Sequence, residues 1–78
     1  SIAQDLVHMI RESGLLTEML ANRDAGARRM SLIKITLAVD DDVRIVPGTA
    51  EITETKPGTC LLTAETVDYG PVSIKLEG

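Results

Sequence analysis

His8 and Glu12 stand four residues apart in a stretch of helical periodicity, a spacing that puts two metal ligands on one helix face. A metal centre needs further ligands. The chain has no other histidine and, with one cysteine, no Cys-x-x-Cys pair, so a solvated i,i+4 contact is expected instead. Asp40-Asp41-Asp42 is the next cation-like run. A calcium loop begun at Asp40 would put Glu51 at its twelfth position, but its sixth is Ile45 where glycine is required, so the run reads as a solvated turn. Cys60 could act as a nucleophile if a base lowered its pKa. It alternates in phase with Leu62, far in sequence from His8, and reads as a buried structural cysteine. Arg23, Arg28 and Arg29 could dock an acidic partner, and by default form a loop flanked by solvated arginines. No phosphate-cradling glycine loop is present, and Ser1, Ser13, Ser31 and Ser73 lack a nucleophile-elbow context. These residues yield no catalytic, cofactor-binding or metal site and no cofactor.

The elements that must position these side chains change period near Gly26. Ser1 followed by Gln4 predicts a capping box opening a helix, with Ile2, Leu6, Met9, Ile10, Leu16 and Leu20 near one face. Gly14 interrupts it, predicting a break after Ser13 and a second short helix from Leu15. Asn22 to Gly26 closes the helical part, with Gly26 as a left-handed cap. From Met30 to Val39 the alternation of Ile33, Ile35, Leu37 and Val39 predicts a strand, followed by another over Val43–Val46. Pro47-Gly48 and Pro57-Gly58 predict type II turns. Ala50 and Ile52, Thr59–Val67, and Val72, Ile74 and Leu76 supply the remaining strands. The fold class expected is α+β. One N-terminal helix, broken at Gly14, packs on a mainly antiparallel sheet of about four or five strands. Residues 1–78 form a single domain, helical over 1–25 and a β-meander over 28–77, with the outer sheet face polar and an edge strand open to pairing.

Size and charge exclude several classes. A 78-residue chain with one aromatic residue builds a thin aliphatic core, so a partner or self-association is the expected source of added stability. A net charge of −4 with no basic face argues against nucleic acid. No apolar run approaches a membrane span. The N-terminus lacks the order of a secretory signal, and one unpaired cysteine fits a cytoplasmic setting. The chain opens on Ser1 rather than Met, as a trimmed product or fragment would.

Four segments together resemble a known family. Ser1-Ile2-Ala3-Gln4 opens the helix, Gly26-Ala27-Arg28-Arg29-Met30 leads into Ile33-Lys34-Ile35-Thr36-Leu37-Ala38-Val39, and Ile45-Val46-Pro47 follows. Thr66-Val67-Asp68-Tyr69-Gly70 runs into Val72-Ser73-Ile74-Lys75-Leu76. The order is similar to the N-terminal domain of the HypA/HybF-type hydrogenase nickel-incorporation proteins. The resemblance implies a nickel-delivery scaffold for hydrogenase or urease maturation. That family's Met-His-Glu start and paired-cysteine zinc domain are absent, so no metal ligand carries over.

The function expected is therefore a non-catalytic interaction or accessory domain resembling that scaffold. Its partner would be a metalloenzyme, a maturation factor or a second copy in a homo-oligomer. Two alternatives stand beside it. One is a fragment of a true nickel metallochaperone with its ligands outside the chain. The other is a structural segment of a larger enzyme, with Asp40, Asp41, Glu51 and Glu65 as its candidate acids.

Overall fold

Ser1 starts the fold as its spacing to Gln4 predicts. In the computed structural model, which describes Ser1–Gly78, the Ser1 hydroxyl accepts from the Gln4 N–H at 3.3 Å. The Gln4 side chain in turn accepts from the Ser1 amino group at 3.4 Å. This capping box opens helix α1 (Ile2–Ser13), which buries Leu6 and Ile10. Gly14 takes φ +73°, a left-handed conformation that glycine adopts without a Cβ clash, and it separates α1 from α2 (Leu15–Ala21) at the expected break. Gly26 is not a left-handed cap. Asn22 ends α2 in extended backbone, and Asp24 begins a new helix by accepting from the Ala27 N–H at 2.8 Å.

That helix, α3 (Ala25–Asp40), replaces the strand expected over Met30–Val39. Once Asp24 has nucleated a turn, nothing from Ala27 to Asp40 breaks it, since the segment has neither glycine nor proline. The strand preference of β-branched residues is worth about 1 kcal/mol at most and yields to packing. As a helix the segment buries Ser31, Ile35 and Val39, which are successive i,i+4 positions, against the rest of the core. As a strand it would have set Ile33, Ile35, Leu37 and Val39 together.

The sheet has three strands, not four or five: β1 (Glu51–Lys56), β2 (Thr59–Thr66) and β3 (Gly70–Glu77), antiparallel in the order β1-β2-β3. Ile52 pairs with Leu62 and Leu62 with Ile74, so one face of the meander is aliphatic in register across all three strands. The strand expected over Val43–Val46 shrinks to a single bridge, Ile45 to Thr66. The Asp42 carboxylate holds the Arg44 N–H at 2.8 Å on one side, and a turn follows directly on the other. Both Pro-Gly steps make the expected turns, with Gly48 and Gly58 each at φ +82°. The Thr49 N–H donates to the Val46 carbonyl across the first. The second joins β1 to β2.

Helices and sheet close on one cluster of 12 buried apolar residues, with Leu6, Ile10, Leu16, Met19, Ile35 and Val39 from the helices and Cys60, Leu62, Ala64, Ile74 and Leu76 from the sheet. Ile45 completes it from the loop before β1. The outer sheet face is polar as expected, with Thr53, Ser73 and Lys75 exposed.

Candidate functional site

The residues singled out for chemistry do not converge. No group of three or more His, Cys, Asp or Glu side chains is placed to hold a metal ion. His8 and Glu12 touch at 3.0 Å on the exposed flank of α1, the solvated pair expected. Cys60 is buried, and desolvation, with the Glu54 carboxylate adding to it, pushes its thiol above the ordinary cysteine range. Such a thiol is a poor nucleophile. Of the four acids considered for a shared site, Asp40 closes α3 and accepts from the Ala50 N–H at 3.0 Å. Asp41, Glu51 and Glu65 are exposed on separate elements.

The arginines divide by role. Arg28 is not a loop arginine: from the first turn of α3 its Nη1 donates to the Met19 and Asn22 carbonyls at 3.1 and 3.0 Å. Its Nη2 donates to both oxygens of Glu54 on β1, at 2.8 and 2.7 Å. One guanidinium thus caps the end of α2 and ties it to the sheet. Arg28, with the Gly58 N–H, holds the Glu54 carboxyl below the ordinary glutamate range. Arg44 joins α1 to the turn after α3. It donates to Asp42 at 3.0 and 2.8 Å and to Asp5 of α1 at 2.8 Å. Its side-chain hydrogen bonds lower Asp42 to about 2 and also lower Asp5. Arg23 and Arg29 are exposed and make no ion pair within the chain.

What sequence reasoning missed is the outer face of α3. Met30, Ile33 and Leu37 are 53%, 43% and 63% exposed. Their i, i+3, i+7 spacing forms one stripe on the side of the helix opposite Ser31, Ile35 and Val39. The same letters that alternate as a strand carry two helical stripes, and testing both periods over Met30–Val39 would have exposed the second. Away from that face, an open groove of about 650 Å³ lies between the start of α1 and the β2–β3 turn, lined in part by Ile2, Arg44 and Pro71. The sole aromatic residue, Tyr69, lies at its rim, 82% exposed. The Arg44 guanidinium in that groove is already held by two carboxylates, so it offers no free charge to a ligand.

The known proteins that the chain matches agree with neither nickel nor hydrogenase. Residues 1–75 match the family described as "Protein of unknown function (DUF2590)". A relative, the "Uncharacterized 12.7 kDa protein in lys 3'region" of Haemophilus phage HP1 (strain HP1c1), is 46% identical over 70 residues, 90% of this chain and 63% of that protein. The chain therefore spans less than two thirds of that relative's length. No solved structure matches it. These matches overturn the resemblance to the nickel-incorporation proteins, and with it the nickel-delivery, metallochaperone-fragment and hydrogenase-accessory readings. One segment of that resemblance, Ile33–Val39, is helical rather than a strand. No helix is long and apolar enough to cross a membrane. With a match over 75 of its 78 positions, the chain belongs to the DUF2590 family.

Proposed function

We propose that this domain is a non-catalytic protein-binding module of a phage-encoded protein, acting through the outer face of α3 in the cytoplasm of the producing cell. The observation that carries the reading is the stripe of Met30, Ile33 and Leu37, set on a helix whose opposite face is fully engaged in the core. A helix apolar on two sides is built to be covered on both. The phage origin of the HP1 relative supports the setting. A buried, raised-pKa cysteine and dispersed acids support a role without covalent chemistry. Arg28 ties α3 to the sheet and Arg44 ties α1 to the turn after α3, which presents α3 on a rigid support.

The test is photo-crosslinking in phage-producing cells, with a photoreactive residue at position 37 and a control at position 75 on the polar sheet face. The expected result is a discrete adduct with a phage-encoded chain, from position 37 alone. Adducts from neither position 37 nor position 33, or equal yields from position 75, would overturn the reading.

A further inference from the structure

We infer that the outer face of α3 is occupied by the same face of a second copy, the two helices running antiparallel about a two-fold axis. The inference rests on the binding role proposed above and names its partner. At about 100° per residue, Gly26, Met30, Ile33 and Leu37 fall within a sector of about 60°. This places a residue without a side chain in line with three apolar ones. The charges bordering the stripe are segregated along it. Arg29 is near the N-terminal end and Lys34 mid-helix, whereas Asp40 and Asp41 stand at the C-terminal end. Arg29, Lys34 and Asp41 are exposed, and none makes an ion pair within the chain.

That order is the reverse of what the helix's own dipole favours, since acids belong at the N-terminus and bases at the C-terminus. A parallel copy would set base against base and acid against acid. An antiparallel copy packed about Ile33 and Lys34 sets Met30 against Leu37 of its mate. It brings each Arg29 toward Asp40 of the other helix, which lies on the same flank of the stripe. The contact is self-complementary, as a two-fold interface requires. Three apolar residues per side are fewer than a standard interface holds, so weak, concentration-dependent association is expected.

Sedimentation velocity of the protein from about 1 micromolar to about 1 millimolar tests this. The average mass is expected to rise toward twice that of one chain. Leu37→Glu, on an exposed position, should hold the mass at one chain while helical circular dichroism stays unchanged. Arg29→Asp should weaken association at least tenfold, and about 1 molar salt, which screens charges within about 3 Å, should weaken association of the unaltered protein. A single-chain mass up to 1 millimolar, unimpaired association of the Leu37→Glu variant, or association indifferent to both salt and Arg29→Asp would overturn the antiparallel pair. A monomer that still crosslinks to a different phage-encoded chain from position 37 would end this inference and leave the broader binding role standing.

Discussion

Two arginines tie separate segments through carboxylates, Arg28 joining α3 to β1 and Arg44 joining α1 to the turn after α3. Arg28 and Glu54 keep 26% and 24% of their side-chain surface exposed, and Nη2 serves both carboxylate oxygens while Nη1 is held by two backbone carbonyls. Replacing Glu54 with Gln leaves Nη2 facing one oxygen and an amide. The thermal midpoint should fall, and by more than it does on replacing Glu77, whose bridge to Lys75 is largely exposed. Scanning calorimetry of the two single variants decides it. Arg44 makes acid sensitivity a residue-scale property. Asp42 sits at about 2 in the folded chain, against an ordinary 3.8. Between those values the unfolded chain binds more protons, so stability rises with pH there. The contribution is complete above about pH 4 and is lost as pH falls through about 2, and Asp5 and Glu54 add in the same direction. Urea midpoints measured from pH 5 down to pH 2 should fall steeply, and Arg44→Ala should flatten the fall. An unchanged slope in that variant would show that Arg44 is not its source.

At the scale of elements, α3 decides most. Its two stripes make opposite predictions for neighbouring apolar residues. Ile35→Ala empties a fully buried site and should cost about 2–4 kcal/mol. Leu37→Ala, two positions on and 63% exposed, should cost less than about 0.5 kcal/mol in dilute solution. A strand would have made the two costs comparable, so the pair of unfolding curves also reports on the helix itself. Gly14 matters for its backbone alone. An added Cβ meets no atom within 4 Å, but φ is +73°. Gly14→Ala should therefore destabilise by about 1 kcal/mol through conformation, without altering α1 or α2.

For the whole molecule, 12 buried apolar residues are a small core, and Met19, 0% exposed, lies where α2 meets the rest. Met19→Ala should cost about 2–5 kcal/mol. That is most of what a chain of this size commonly has. Far-ultraviolet circular dichroism should show a largely unfolded population near body temperature.

The sequence by itself determined the features that depend on local chemistry. Ser1 and Gln4 specify a cap, Gly14 and the two Pro-Gly steps specify chain reversals, and strict alternation from Val72 to Leu76 specifies a half-buried strand. Each follows from dihedral preference or from neighbours within a turn, and each was legible. The exposed His8–Glu12 pair and the buried Cys60 were legible for the same reason. Only the tertiary structure decided whether Met30–Val39 is a strand or a helix, because its apolar residues satisfy a period of two and a period of 3.6 alike. The core settles that choice by taking Ser31, Ile35 and Val39 and leaving Met30, Ile33 and Leu37 outside. It likewise turned Arg28 inward to a carboxylate 26 positions away, a pairing no local spacing encodes. The candidate binding face lay in the segment where two periodicities coincide, and it became visible only when packing selected one of them.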